Sequence, residues 1–133
     1  MAGDGLITVA SAHPVAETVD RLAAAAAAAG MTVFARVDHA AGAAGAGMPL
    51  RPTELILVGN PRGGTPLMQD GQTAGIDLPL RALAWEDAGG RVWVTTNDAS
   101  WIAARHGLGE ASAPAVAAVS AGLARIVAEA TAG

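Results

Sequence analysis

Apolar residues follow two different periods along this chain, and each period predicts its own kind of element. Leu6 to Ala10 is a short apolar run rich in β-branched residues, which predicts a first strand. Apolar side chains then recur three and four positions apart, which predicts a helix over residues 14–29. Pro14 suits the first position of that helix, and Gly30 suits the residue after its end.

The middle of the chain returns to strand periodicity. Thr32 to His39 alternates between apolar and polar residues and predicts a second strand. Residues 40–48 are small and glycine-rich, which predicts either one loose helical turn or a close-packed loop. Glu54 to Gly59 predicts a third strand, and its unbroken apolar run from Leu55 to Val58 indicates burial on both faces.

A segment rich in glycine and proline follows the third strand. Asn60 to Gly64 predicts a turn. Thr65-Pro66 then predicts the start of a short helix, because a capping hydroxyl precedes a proline there. Ile76 to Leu80 alternates again and predicts the approach to a fourth strand.

Two further runs predict a β-hairpin, Ala82 to Glu86 and Arg91 to Thr96. If Glu86 lies opposite Arg91, the alternation of side chains fixes the faces of the hairpin. One face then carries Trp85 with Leu83, Val92 and Val94, as part of the core. The opposite face carries Trp93 with Ala84, Thr95 and Glu86.

The rest of the chain predicts a short helix from Ala99 to Gly107 and a final helix over residues 112–130. We therefore expect a single domain over residues 1–133. Hairpin signals outnumber crossovers, so its fold class is α+β, with a largely antiparallel sheet and helices on one face.

Composition excludes several classes of function. The chain has no cysteine and no tyrosine, so thiolate chemistry, disulfides, Cys-type zinc sites and phenol donors are absent. Its net charge is −4, with no basic cluster, which speaks against nucleic-acid binding. The start of the chain lacks the features of a signal peptide, and the apolar run from Leu22 to Ala29 is too short to span a bilayer. We expect a cytoplasmic protein with no membrane partner.

Three runs of sequence together resemble one known family. They are VDHAAGAAGAGMPLRPTELILVGNPRGGTPLM, IDLPLRALAWED and WVTTND. At these spacings they resemble the bacterial family called domain of unknown function 302, over roughly residues 5–108. The resemblance implies a TBP-like β-α-β4-α fold and a tendency to form homodimers. It implies no chemistry, and the tail after Gly107 matches less closely.

Asp38, His39 and Glu86 are the candidate catalytic residues. An aspartate and a histidine at a strand end can act as orienting group and base, and paired carboxylates can share a proton. The structural alternative is that Asp38 caps the next turn and His39 bonds a backbone carbonyl. Glu86 and Asp87 precede a Gly-Gly pair, where acids are common turn formers.

The candidate ligand-binding residues are Asn60, Gly63, Gly64, Thr65, Met68 and Trp93. Free N–H groups in the turn from Asn60 to Thr65 could hold an anion, although a purely structural turn is the competing interpretation. We predict no cofactor. His39 and Met68 are the residue types that could ligate haem or copper, whereas His13 and His106 are interpreted as surface groups.

The leading hypothesis is a homodimer that binds a small ligand at an open sheet face or at the dimer seam. If helices cover one face of the sheet, Phe34, Ala84 and Trp93 need other cover on the second face. One alternative is a small enzyme that transfers protons with Asp38, His39 and Glu86. Another is a structural or regulatory interaction module.

Overall fold

The computed structural model describes residues 3–133 as one antiparallel sheet flanked by helices. Its strands are β1 (Leu6–Ser11), β2 (Thr32–Asp38), β3 (Thr53–Gly59), β4 (Leu80–Glu86) and β5 (Val92–Asn97). Its helices are α1 (Val15–Ala28), α2 (His39–Gly45), α3 (Pro61–Asp70), α4 (Ala99–Arg105) and α5 (Ala113–Thr131), with a 3-10 helix at Gln72–Asp77. The strand order is β1-β5-β4-β3-β2, and every neighbouring pair is antiparallel. The predicted α+β class is confirmed.

The hydrophobic core lies on one face of the sheet. Alternate residues of β3, β4 and β5 are buried there against α1, α4 and α5, except at the strand ends Glu54 and Glu86, which are half-buried. The main sheet contributors are Ile56, Val58, Leu80, Ala82, Ala84, Val92 and Val94, and the main helix contributors are Val19, Leu22, Ile102, Leu123 and Ile126. The helices therefore cover one face, as the alternating pattern predicted.

The other face, which we call the open face, carries half-buried and exposed side chains. Its central members are Thr8, Leu55, Leu57, Leu83, Trp85, Trp93 and Thr95. Leu55 and Leu57 are only half-buried, whereas Ile56 and Val58 are buried. The prediction that β3 is buried on both faces was wrong. A continuous apolar run shows no alternation, so the sequence could not indicate that only one face of this strand is covered.

The hairpin register differs by one residue from the prediction. Glu86 pairs with Val92, and Trp85 pairs with Trp93, so both tryptophans lie on the open face. The cause is Asp87, whose Oδ1 accepts hydrogen bonds from the N–H groups of Gly89 and Arg91 and so keeps Arg91 in the turn. A shift of one residue exchanges the faces of a strand. The prediction that Trp85 lies in the core was therefore wrong. The prediction that Trp93 shares a face with Glu86 and Ala84 was also wrong, because those two residues lie on the core face.

Two other segments begin earlier than predicted. Residues 40–48 contain a true helix, α2, whose cap is the Asp38 carboxylate. The helix predicted to start at Pro66, with Thr65 as its cap, begins five residues earlier, at Pro61, because Asn60 supplies a capping oxygen and Pro61 suits the first helical position. Pro66 consequently lies inside α3 rather than at its start.

Candidate functional site

A cavity of about 440 Å³ lies between α3, α5 and the end of β3 and β4. We call it the α3 cavity. Ligand pockets in proteins commonly have volumes of about 300–1,000 Å³, so this one can hold a small organic molecule. Its lining includes Asn60, Gly63, Gly64, Thr65 and Met68 from α3 and its cap, Val119 and Leu123 from α5, and Met31, Phe34 and Leu78. The cavity thus contains five of the six predicted ligand-binding residues.

Glycine allows α3 to lie close to α5 along this cavity. A Cβ atom at Gly63 would approach Cγ2 of Val119 to 3.0 Å, which is tighter than ordinary packing. The next residue has more room, since a Cβ at Gly64 would lie 3.6 Å from Cδ1 of Leu78. The absence of a side chain at Gly63 therefore allows α3 and α5, the two helices that form the cavity, to pack closely.

The far end of α3 is fixed to the loop before α5 by a carboxylate. Asp70 Oδ2 accepts hydrogen bonds from the N–H of Gly109 at 2.9 Å and from the buried hydroxyl of Ser112 at 2.7 Å. The Ser112 hydroxyl, followed by the Gly109 amide, lowers the pKa of Asp70. This contact fixes the C-terminal end of α3 to the N-terminal end of α5.

The N-terminus of α3 offers no free donor in the predicted anion-binding turn. Asn60 Oδ1 accepts from the N–H of Arg62, and Pro61 has no N–H. The N–H groups of Gly63 and Gly64 both donate to the carbonyl of Asn60. The backbone donors that an anion would need are therefore engaged within the helix, which favours the structural interpretation of this turn.

The lining of the α3 cavity is mostly apolar and carries no charged side chain. Its polar side chains are Asn60 and Thr65, both at the exposed rim. Met31 and Met68 provide flexible thioether contacts, and Phe34 presents a ring that is 52% exposed at the edge strand. The lining suits a neutral, largely apolar molecule with one or two hydrogen-bonding groups.

Trp93 lies away from the α3 cavity. Its ring stacks with that of Trp85 on the open face, and its Nε1 donates to Asp87 Oδ2 at 2.9 Å. That bond is the largest cause lowering the pKa of Asp87, followed by the amide of Arg91. The guanidinium of Arg91 lies 4.8 Å from the centre of the Trp93 ring. The predicted ligand-binding residues therefore divide between two places.

The three candidate catalytic residues are not joined to one another. The Asp38 carboxylate accepts from the N–H of Ala41 and caps α2, which is the structural role considered above. His39 is exposed at the first position of that helix. Glu86 ends β4, and within residues 3–133 no hydrogen bond or ion pair connects its side chain to Asp38 or His39.

A cluster around His106 was missed by the sequence prediction. The His106 side chain is only 7% exposed, so it is no surface group. Its Nε2 lies 2.6 Å from Asp77 Oδ2 and its Nδ1 lies 2.9 Å from the Thr73 hydroxyl, while Arg105 also bonds Asp77. These contacts fasten the 3-10 helix to α4. No sequence signal marked them, since the partners are about thirty residues apart and have no motif spacing.

The described part of the chain contains no cluster of metal-ligating residues and one helix that is long and apolar enough to cross a membrane. Among residues 3–133 there is no group of three or more His, Cys, Asp or Glu residues that could hold a metal ion. Met68 lines the α3 cavity and His39 does not. By length and composition α5 could cross a membrane, with 19 residues and a mean hydropathy of 1.4. Here its side chains at Leu123, Ile126 and Val127 pack into the core.

A family model and a solved structure that match this chain carry the same family name, whereas curated relatives carry a different name. Residues 7–130 match the family model described as "Domain of unknown function DUF302", so the match continues through α5. A solved structure described as "Crystal structure of uncharacterized conserved protein DUF302 from Bacillus stearothermophilus" has a TM-score of 0.84. It is 16% identical and covers 96% of this chain and 98% of its own, which shows a shared fold.

The curated relatives carry a different name. Proteins of Brucella suis and Brucella abortus, each called "Fluoride-specific ion channel FluC 1", are 59% identical over 118 residues. The match covers 89% of this chain but only 46% and 44% of those relatives. The chain thus spans less than half the length of the curated relatives it matches.

Proposed function

This chain belongs to the DUF302 family, and we propose that it binds a small, neutral, largely apolar molecule in the α3 cavity. The observation that carries the proposal is the cavity of about 440 Å³ with an apolar lining and two polar side chains at its rim. Five predicted ligand-binding residues lie together around it: Asn60, Gly63, Gly64, Thr65 and Met68. The apolar wall supplies affinity, and the Asn60 amide and Thr65 hydroxyl supply orientation.

A pair of neighbouring positions on α5 provides the test. Ala118 lines the cavity, whereas Ala117 is exposed and does not. An indole at position 118 would fill the cavity mouth, while the same side chain at position 117 would lie in solvent. We expect A118W to weaken binding of a neutral fluorescent probe such as N-phenyl-1-naphthylamine at least about tenfold, and A117W to leave it unchanged.

The same pair of variants identifies natural ligands. Native mass spectrometry of the wild-type chain from its own host is expected to show a retained small molecule, which A118W should lose and A117W should keep. Probe binding that is equal in wild type and A118W, with no retained mass in either, would refute ligand binding at this cavity.

Self-association through the open face is a second proposal, and the tryptophan pair favours it. Trp85, Trp93 and Leu83 form an apolar centre that is only half-buried within one chain. Exposed apolar patches on a protein surface commonly mark sites of interaction with another protein. A second copy packed face to face would bury it, and the resulting protein would be a cytoplasmic homodimer.

A partnership with a fluoride channel is a third proposal, favoured by the relatives alone. At 59% identity, the matched segment in the Brucella proteins has the same fold as this chain. In those relatives the segment belongs to proteins named as fluoride channels. We propose that this domain acts beside such a channel, as a ligand-sensing or assembly module rather than as its pore.

The channel proposal is tested with reconstituted components. Fluoride release from liposomes holding a fluoride channel would be followed with a fluoride electrode, with and without this chain. A release rate that changes with added wild-type chain, and not with an equal amount of a heat-denatured sample, is expected. An unchanged rate, with no chain retained on the liposomes, would rule the partnership out.

A further inference from the structure

An irregularity in the edge strand β2 places an aromatic ring at the α3 cavity. Val33 and Ala35 pair with the consecutive residues 58 and 57 of β3, so Phe34 between them has no partner of its own. Val33 packs against the core, and regular alternation would turn Phe34 to the open face. The Phe34 ring lines the α3 cavity instead, and a Cβ atom at Gly59 would lie 3.5 Å from its Cε2. Bulges are over-represented beside functional sites, where they redirect a side chain.

Two methionine thioethers line the same cavity, and both pack closely against glycines. A Cβ atom at Gly75, in the 3-10 helix, would lie 3.2 Å from Sδ of Met68. A Cβ atom at Gly122, in α5, would lie 3.2 Å from Cε of Met31. A side chain at either glycine would displace the thioether beside it. The cavity wall therefore presents two sulfur atoms and one aromatic ring, each packed on a backbone that leaves room for it.

These three groups favour one ligand chemistry, which is an aromatic ring. Thioether sulfur makes favourable contacts with the edges of aromatic rings. A phenyl group stacks with a second ring or meets it edge to face, and such a pair gains free energy beyond the area that it buries. A saturated molecule of the same size gains only from the removal of apolar surface from water. The remaining aliphatic lining does not distinguish between the two.

We propose that the α3 cavity selects a flat aromatic molecule over a saturated one of the same size, through Phe34, Met31 and Met68. This inference rests on the ligand binding proposed above for the same cavity, and it names the class of ligand. One aromatic pair and two sulfur contacts together correspond to a preference of about tenfold.

The polar end of such a ligand meets a hydrogen-bond donor at the cavity rim. Asn60 Oδ1 already accepts from the N–H of Arg62 at 2.9 Å, and within residues 3–133 the Asn60 Nδ2 group makes no hydrogen bond. An amide NH₂ group only donates, so the ligand group that matches it is a neutral acceptor such as a carbonyl oxygen. The ligand class is therefore an aromatic ring system with a neutral acceptor at one end.

Displacement of N-phenyl-1-naphthylamine from the full chain tests the aromatic selection. The competitors are naphthalene and trans-decahydronaphthalene, which have the same carbon skeleton and differ in aromaticity. Burial of apolar surface alone predicts that the saturated compound binds at least as tightly. We expect naphthalene to displace the probe at a concentration about tenfold lower. Equal displacement by the two compounds would overturn the selection and leave apolar binding intact, whereas a wild-type chain that binds no probe would refute both proposals.

Two volume-conserving substitutions assign the preference to the cavity wall. Phe34→Leu and Met68→Leu keep an apolar side chain and remove the ring or the sulfur. Each should lower the ratio of naphthalene to decahydronaphthalene affinity about threefold. Met48→Leu is the matched control, since Met48 is 64% exposed and lies outside the cavity lining. A ratio that stays at the wild-type value in both cavity variants would contradict the inference.

The acceptor end has its own test at Asn60. In the wild-type chain, 2-acetylnaphthalene should displace the probe at a concentration about fivefold lower than naphthalene, because its carbonyl accepts from the amide. Asn60→Asp keeps a capping oxygen for α3 but replaces the donor with a group that only accepts. The advantage of 2-acetylnaphthalene over naphthalene should disappear in this variant. An advantage of the same size in Asn60→Asp would show that the amide does not bind the acceptor.

Discussion

Trp85 and Trp93 lie opposite each other on neighbouring strands, and their rings stack with centroids 6.4 Å apart on the open face. Both indole N–H groups are bonded within the chain. Trp85 donates to the hydroxyl of Thr95, and Trp93 donates to the carboxylate of Asp87. The ring surfaces that remain available are therefore apolar, and they suit an apolar partner better than a polar ligand.

The open face is expected to lose its self-association when a charge is placed beside these rings. Leu83→Glu introduces a carboxylate at the centre of the face, where burial by a second copy would desolvate it. Light scattering should then report a smaller mass than for wild type. Leu50→Glu is the matched control, since Leu50 is 50% exposed and lies outside the sheet. Identical masses for wild type and Leu83→Glu would argue against face-to-face packing.

Asp87 is expected to give the hairpin a stability that depends on pH. Its carboxylate accepts three hydrogen bonds, from Gly89, Arg91 and Trp93, and the Trp93 bond is the main cause lowering its pKa below 3.8. A depressed pKa in the folded state means that the stabilisation is present above the unfolded pKa. It is lost as pH falls through the lower, folded value.

Thermal unfolding of Asp87→Asn tests this relationship. The variant should melt below wild type at pH 7, and the difference should shrink as the pH is lowered below about 4. Glu86→Gln is the control, because its side chain makes no hydrogen bond in the described structure, and it should follow wild type at each pH. A constant difference between Asp87→Asn and wild type at all pH values would show that the charge is not the cause.

Two adjacent glycines in α3 are expected to respond in opposite ways to alanine. Gly64→Ala has room, with 3.6 Å to Leu78, and should gain about 0.5–1 kcal/mol of helix propensity. Gly63→Ala meets Val119 at 3.0 Å, so part or all of that gain is lost to strain between α3 and α5. Chemical denaturation should therefore rank Gly64→Ala above Gly63→Ala. The reverse order would mean that α3 is free to move away from α5.

His106 is expected to stabilise the fold through both ring nitrogens. Replacing it with phenylalanine leaves the Thr73 hydroxyl and the Asp77 carboxylate without this partner, which should cost about 1–3 kcal/mol. The measurement is the free energy of unfolding in urea. His39→Phe changes an exposed residue and should alter the stability little. Equal stability of both variants would show that the His106 contacts contribute nothing to the folded state.

Local signals in the sequence were sufficient for most elements. The helix predicted over residues 14–29 is α1, and the strand predicted from Leu6 to Ala10 is β1, because both depend on the period of apolar residues alone. The predicted start of α3 was late by five residues. Asn60 had been assigned to a turn, and its capping role depends on the geometry of a single hydrogen bond.

The sequence by itself determined the α+β class and the family. Only the tertiary structure decided which face each tryptophan occupies, because one extra residue held in the hairpin turn by Asp87 exchanges the two faces. It also decided that the donors at the start of α3 are engaged, and that His106 meets Asp77 and Thr73. Such contacts join residues distant in sequence, and their energies depend on distances that no local pattern of side chains encodes.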